Sequence, residues 1–483
     1  MIRRDVIAHI LGLLLMVLAA LMCVPVPLAW TFGWSGSGPL IGGAAITMAV
    51  GLALFALFRP PPSDLSPREG ILLTVCAWLS LASFGSLPFC LSPQFASLTD
   101  AVFEAASGFT TTGATILPDV EALPPAIQFW RHFTHWVGGM GIVLLGIAVL
   151  PLVGAGGMTL YRAEFSGARS EKLKPRLAET AVSLWKIYVA LTVAEYFLLR
   201  LAGLSPFDAI CHAFSTLGTG GFSTRTASVG GFANPAAEYI IAVFALLAAI
   251  NFTRHYRLWM ERDARGFGTD PEVRGIFTLI GAATLVIFLT LVIHEHMPIE
   301  QSFRAALFQT ASIGSTTGFT TMDYEKWMPL THAILFALMF IGGCTGSTAG
   351  GWKVSRVLLM GRLVYREFKR TSERHGVFVI RLGGQVIPEQ AVQSLLNLVY
   401  LSLLVILASI LVLAGTGVDL MTSISAVVAS TFSIGPGFGA VGPAEHYGHL
   451  PALAKWVLSI CMIAGRLEFY TLIVVFTPAF WRK

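Results

Sequence analysis

Four short stretches of this chain set hydroxyl side chains around glycine: FTTTGAT at 109–115, LGTGGFST at 217–224, STTGFTT at 315–321 and SIGPGFGA at 433–440. Such runs suit one piece of chemistry, the replacement of water around a cation. An ion leaving water needs oxygens in place of its shell, and rings of backbone carbonyls supply them without a fixed charge that would trap it. Successive carbonyls can face one way only through unusual dihedrals, including positive φ, which glycine adopts at little cost. Thr and Ser add small neutral oxygens. A short helix ending at such a stretch also points its partial negative C-terminus there, which favours cations over anions. A single copy reads equally well as a helix–helix contact of small residues, but four copies at matched places favour coordination.

The elements that must hold these stretches lie in a bilayer. Of 483 residues, 55% are hydrophobic and 12% charged, and the mean hydropathy is +0.72, far outside the soluble range. Apolar runs of spanning length, about 20 residues, fall near 6–30, 38–58, 70–91, 126–153, 181–203, 236–253, 275–293, 329–352, 391–414 and 452–478. The first follows Arg3 and Arg4 but is long enough to span and meets no small-residue cleavage site, so it reads as a retained helix. The expected fold class is an all-α polytopic membrane protein with about ten spanning helices.

Basic residues orient it, because cytoplasmic loops collect Lys and Arg. Inner segments hold Arg59 and Arg68, then Arg162, Arg169, Lys172, Lys174 and Arg176, then Arg254, Arg257, Arg262, Arg265 and Arg274, with eight more from Lys353 to Arg381. Outer segments keep only Arg131, Arg200, Arg225, Arg304, Lys326 and Lys455. Both termini are therefore expected in the cytoplasm. The formal charge of +5 is mostly this bias and gives no reason to expect nucleic acid. Outer acids such as Asp100, Glu104, Asp119, Glu121, Asp208, Asp323, Glu325, Asp419 and Glu445 would concentrate cations at an outer mouth, or simply solvate loops.

Taking Gly113, Gly221, Gly318 and Gly435 as reference points gives intervals of 108, 97 and 117 residues, a repeat. DAVFEAASGFTTTG (100–113) aligns with DAICHAFSTLGTGG (208–221) without a gap; AALFQTASIGSTTG (305–318) keeps the Ala and Ser spacing, and the copy after Asp419 is looser. The expected divisions are a helix pair at 1–67 and four units at 68–165, 166–262, 263–381 and 382–483. In each unit a helix goes out and a second returns, so the dozen residues between them, near 18 Å as a helix, must enter from outside and turn back. Lipid cannot satisfy the backbone of such a loop, which is tolerated only where it lines a cavity within the protein. Four around one axis make a pore.

Other chemistries find little support. The cysteines (Cys23, Cys76, Cys90, Cys211, Cys344, Cys461) form no C-x-x-C pair and read as small core residues. No Walker loop, H-E-x-x-H or nucleophile elbow occurs, so an enzyme is not expected. His132 and His135 lack a nearby carboxylate or cysteine at ligand spacing and read as structural. A secondary transporter with substrate at broken helices is the rival reading, coupling the ion to H⁺ or Na⁺. It would need inverted repeats and embedded carboxylates, whereas these repeats are parallel and the best carboxylate, Glu195, lies near the outer end of its span.

Two features below the glycine stretches suggest gates. The run IGGCTGSTAGG (341–351) carries five glycines, each disfavouring helix by about 1 kcal/mol, and predicts a break: either a packing face or a flap comprising Gly342, Gly343, Cys344, Thr345, Gly346, Ser347, Thr348, Ala349, Gly350 and Gly351. Arg466 lies halfway along the last apolar run, where a charge costs about 2.5–3.5 kcal/mol; it should face the interior, pairing with an acid or projecting into the pore to repel cations. The basic segment from Lys353 to Arg381 should leave the membrane as a helix, to anchor on lipid headgroups or dock a cytosolic partner.

Together with these repeats, WRHFTHWVGGMGIVLLGIAVLPLVGAGGMTLYRAEFSG (130–167), KLKPRLAETA (172–181), STTGFTTMDY (315–324), GGCTGSTAGGWK (342–353), IGPGFGAVGP (434–443) and AGRLEFYTL (464–472) resemble the membrane subunits of bacterial Trk potassium uptake systems, in the Trk/Ktr/HKT superfamily. The resemblance runs through essentially the whole chain. It implies a K⁺-conducting pore of the inner membrane, homodimeric, on a cytosolic TrkA-type ring that binds the nucleotide, with no organic cofactor in this chain. It places the selectivity filter at Thr110, Thr111, Thr112 and Gly113; Gly218, Thr219, Gly220 and Gly221; Ser315, Thr316, Thr317 and Gly318; and Phe432, Ser433, Ile434 and Gly435. It also implies an intramembrane loop at 342–351 and a closed-state role for Arg466. The chain departs from the family where an asparagine often precedes the fourth filter glycine and Ser433 and Ile434 stand here.

Overall fold

The computed structural model describes residues 2–60, 65–149, 177–373, 376 and 378–482. The basic residues from Arg162 to Arg176, and the parts of the quoted motifs between 150 and 176, lie outside them. The chain opens with two antiparallel helices, Arg4–Met22 and Ser37–Leu57, joined through Pro25–Phe32. Pro25 starts that connector at its first helical position, where its missing N–H costs nothing, and Gly33 ends it at φ 66. The pair crosses at Gly12 and Gly51, where a β-carbon on Gly12 would lie 2.8 Å from the Gly51 carbonyl oxygen, the close approach that small residues permit in membranes.

Four units of one plan follow. Their outer helices are Pro67–Gly85, Leu177–Leu201, Pro271–Ile293 and Glu389–Gly415, and their short inserted helices Leu98–Phe109, Pro206–Leu217, Ile299–Gly314 and Leu420–Thr431. The second helices begin at Pro125, Pro235, Pro329 and Ala452. Local sequence sets the starts. Ser66 and Glu69 form a capping box ahead of Pro67, and Asp270 and Asn234 cap the helices opened by Pro271 and Pro235. The aspartates matched between the first two units act together with a preceding serine: Ser97 accepts from the Asp100 N–H and Ser205 from the Asp208 N–H, while Asp419 caps the fourth inserted helix directly. The C-terminal turns of the inserted helices are buried, polar Ser107, Thr216, Ser312 and Ser430 included, so the ends that lead into the glycine stretches meet protein and not lipid.

Among the described residues six helices are long and apolar enough to cross a membrane: Arg4–Phe32, Ser37–Leu57, Pro67–Cys90, Val182–Leu201, Pro271–Ile293 and Glu389–Gly415. The remaining apolar runs are the second helices, and each is interrupted. Pro125–Val149 breaks at Gly141, with φ 71 and ψ 135. Pro235–Ala248 bends by 98° into Phe252–Met260. Pro329–Met339 ends in the glycine loop, and Ala452–Arg466 ends just before Glu468 and Phe469, both at positive φ. Sequence foresaw only the third break. The basic segment forms the helix Val354–Ser372 and a hairpin pairing Arg381–Leu382 with Gln385–Val386; Arg366 fixes the helix to Glu389 at 2.8 and 3.1 Å.

Candidate ion-conducting site

Each inserted helix ends in the same turn, and that turn builds the site. Thr110, Gly218, Ser315 and Phe432 are the C-cap residues. The next residues, Thr111, Thr219, Thr316 and Ser433, are left-handed at φ 57, 53, 57 and 57. The third residues return their N–H groups to the last helical turn: Thr112 to Ser107 O at 2.9 Å, Gly220 to Ser215 O at 2.8 Å, Thr317 to Ser312 O at 2.7 Å and Ile434 to Ala429 O at 2.9 Å. This is a Schellman end with a hydroxyl residue where glycine is usual. Left-handed backbone costs such residues about 1–2 kcal/mol, and the conformation recurs in all four units. It commits the N–H groups of the second and third residues to the inserted helix.

The fourth residues close a ring. Gly113, Gly221, Gly318 and Gly435 have φ 81, 76, 84 and 93. A β-carbon on Gly113 would overlap the Gly220 carbonyl oxygen, one on Gly221 that of Thr317, one on Gly318 that of Ile434, and one on Gly435 would press on that of Thr112. The contacts run from unit one to two, three, four and back to one, so the four quartets surround a single axis.

Each chain segment leaving its quartet is held by its own inserted helix. Glu104 accepts from the Thr115 hydroxyl at 2.9 Å and the Ile116 N–H at 3.0 Å; a ring nitrogen of His212 lies 2.9 Å from the Ser223 hydroxyl. Ser312 donates to Phe319 O and Ser425 to Phe438 O, both at 2.7 Å. Tyr447 and Tyr324 add hydroxyls to the carbonyls of Gly435 and Gly437 at 2.6 and 2.8 Å. Arg131, which sequence placed among the outer basic residues, is fully buried: it pairs with Glu104 at 2.6 Å and lies 3.5 Å over the Phe222 ring. His132 and His135 meet the Ser215 hydroxyl at 2.8 and 3.2 Å, and His135 stacks on Phe222 at 4.0 Å. They back the second quartet, and no metal-binding cluster occurs among the described residues. Glu104→Ala strips the buried Arg131 of its carboxylate and should cost about 3–5 kcal/mol, read as a lowered melting temperature in detergent, with Glu104→Gln milder.

The glycine run 342–351 forms a non-helical loop against the underside of the quartets. The Gly350 N–H donates to the Thr316 hydroxyl at 2.7 Å, and a β-carbon on Gly350 would sit 2.5 Å from Phe432 O and 2.9 Å from the Ser433 Cβ. The loop is stitched to the bend of unit two: Cys344 N–H to Ala249 O at 2.7 Å, Phe252 N–H to Gly346 O at 3.1 Å and the Thr348 hydroxyl to Ala248 O at 3.2 Å. Arg466, half-buried, donates to Thr348 O at 2.9 Å and to Gly138 and Gly139 O at 2.8 and 3.1 Å, so its guanidinium joins the loop to the second helix of unit one.

Several outer acids hold the loops of their own or the next unit. Asp208 accepts from the Thr224 hydroxyl, Asp119 from that of Thr226, and Glu325 from the Gly439 N–H. Asp100 pairs with Lys455 at 2.6 Å, and both are buried. Sequence missed these partners because their separations are tertiary. The second-position hydroxyls Thr111, Thr219, Thr316 and Ser433 recur at one place in the repeat, but residue type carried no sign of their left-handed backbone.

These features define a polytopic all-α membrane protein with four helix, inserted-helix, helix units about one axis. Residues 40–483 match the family model TrkH, described as a cation transport protein, and the chain belongs to that family. It is 41% identical over 484 residues to the Trk system potassium uptake protein TrkH of Salmonella typhimurium, and 41% identical over 488 residues to the protein of that name from Escherichia coli K12, with 99% of each chain covered in both cases. The crystal structure of the potassium transporter TrkH from Vibrio parahaemolyticus is similar at a TM-score of 0.90 and 38% identity, covering 99% of this chain and 100% of that one.

Proposed function

We propose that this chain takes up K⁺ across the bacterial inner membrane through a filter of the sixteen quartet residues, with both termini in the cytoplasm. The observation that carries the reading is the closed ring in which each terminal glycine packs on a carbonyl of the next unit. Carbonyls held this way replace hydration water without trapping the ion. The glycine loop and Arg466 form the gate beneath, a homodimer is the assembly, and a cytosolic TrkA-type ring carrying the nucleotide docks on the basic helix Val354–Ser372 and controls the gate. The test is ion flux and current from purified protein in liposomes, with and without that ring and nucleotide. A pore reverses at the K⁺ equilibrium potential whatever the H⁺ or Na⁺ gradient. The coupled-carrier reading has one feature in its favour, Glu195 fully buried on Leu177–Leu201, and it would shift the reversal potential with the driving ion.

The loop assignment makes its own prediction. Gly350→Ala sets a methyl group against Phe432 O and Ser433, where overpacking costs about 1–3 kcal/mol. The loop should be displaced and flux without the cytosolic ring raised several-fold. Unchanged flux from well-reconstituted G350A and G342A proteins would reduce the run to a packing face.

A further inference from the structure

The loop under the quartets passes directly into the basic helix Val354–Ser372. Lys353 is the N-cap residue of that helix, and its ammonium donates back to the Ala349 carbonyl. In the first turn, Arg356 reaches across to Glu468, Nη2 to Oε2 at 2.7 Å, with 16% and 15% of the two side chains exposed. Glu468 sits at a hinge. Helix Ala452–Arg466 ends two residues earlier with Leu467 as its cap, and Glu468 and Phe469 follow at φ 54 and 59 before helix resumes at Tyr470. Residues with side chains hold such a backbone only where their surroundings enforce it. Here the Glu468 and Phe469 N–H groups are returned to Gly465 O at 3.2 Å and Ala464 O at 2.8 Å, and Phe469 is buried.

Two contacts therefore tie the same pair of segments at both ends. Arg466 holds Thr348 at the loop, and Glu468 holds Arg356 at the start of the basic helix. Chain 348–356, the short stretch 466–468 and these two contacts form a closed mechanical circuit. Moving the first turn of the basic helix while the ion pair persists must turn the hinge and pull on Arg466.

From this circuit we infer that the Arg356–Glu468 pair is the link through which the basic helix positions Arg466. It keeps the guanidinium on the loop when no cytosolic load is present and draws it off when the helix is displaced. The inference rests on the reading of the loop as the obstructing element. Arg356 and Glu468 are positioning residues, since neither belongs to the quartets or the loop.

The test uses the full chain in liposomes with a rubidium tracer, with and without a TrkA-type ring and its nucleotide. Arg356→Gln and Glu468→Gln should each raise partner-free flux about tenfold, the change that about 1.4 kcal/mol makes in an equilibrium. With the link cut, displacing the helix no longer draws Arg466 off the loop, so the ring and nucleotide add little and the stimulation ratio falls toward one. The charge swap R356E/E468R should restore both the low partner-free flux and the ratio, which a purely structural staple has no reason to do. Partner-free flux equal to the unsubstituted protein's in the single variants, or a swap as leaky as they are, overturns the link. The single variants lie on different segments, so if one fails to reconstitute the other remains the test. An Arg466→Gln sample separates the two failures. If it leaks while the Arg356 and Glu468 variants do not, the link falls and the loop reading stands; if it too is silent, the loop reading falls and the link with it.

Discussion

Replacing Gly318 with alanine is expected to reduce K⁺ flux by on the order of a hundredfold or more, the size of effect that a shift of about 1 Å in positioned groups produces. Two costs coincide at this residue. Its φ of 84 is left-handed, which disfavours alanine by about 1–2 kcal/mol. The added β-carbon also overlaps the Ile434 carbonyl oxygen and crowds Pro436, so the third and fourth quartets cannot both keep their places. Relaxation is blocked by the ring itself, since moving Gly318 away from Ile434 drives Thr317 O onto Gly221. Gly113→Ala and Gly221→Ala should share the loss. Gly435→Ala should be mildest, because its β-carbon would stand 2.7 Å from Thr112 O where the other three overlap outright. Gly281→Ala is the control: nothing lies within 4 Å of that β-carbon, and alanine in a helix gains about 1 kcal/mol over glycine. Tracer flux in liposomes, scaled to reconstituted protein, reads the series. Normal flux through G318A would mean that the ring does not carry the ion.

What sequence could and could not reveal follows from where each interaction is decided. The inserted helices were legible because a dozen residues between two apolar runs cannot cross, and their lengths, twelve residues for Leu98–Phe109, Pro206–Leu217 and Leu420–Thr431, obey that limit. The need for positive φ was legible at Gly113 and its equivalents. It was hidden at Thr111, Thr219, Thr316 and Ser433, since nothing in a threonine announces a left-handed residue and only the Schellman bonds to the inserted helix enforce it. The breaks at Gly141 and at Glu468 and Phe469 were hidden because no proline marks them and the surrounding runs are apolar; the second is held by the Gly465 and Ala464 carbonyls and by the pair with Arg356. Arg131 and Lys455 look like outer basic residues, yet both are buried against carboxylates, Glu104 and Asp100. Composition reports the depth of a residue along a span and is blind to the partner that lets a charge remain there.

Neutralising Arg466 should open the pore in the absence of any partner, with Arg466→Gln raising flux by about tenfold or more. Its guanidinium bonds three carbonyl oxygens on two separate segments, Thr348 in the loop and Gly138 and Gly139 in unit one. Hydrogen bonds from charged donors contribute about 1.5–3 kcal/mol each, and a glutamine amide is shorter, neutral and unable to span both segments. Two effects would act in the same direction, release of the loop and loss of a positive charge beneath the quartets, and Arg466→Lys divides them. Lysine keeps the charge but lacks the planar fork that reaches several acceptors at once. If the tie to the loop dominates, R466K should leak nearly as much as R466Q; if repulsion dominates, it should stay closed. The geometry favours the tie, because the guanidinium is already directed at protein carbonyls. The ionic strength of the bath gives a second readout, since a charge barrier weakens as salt screens it whereas a hydrogen-bonded strut does not. Well-folded R466Q protein with unchanged or lower flux would remove Arg466 from the gate altogether.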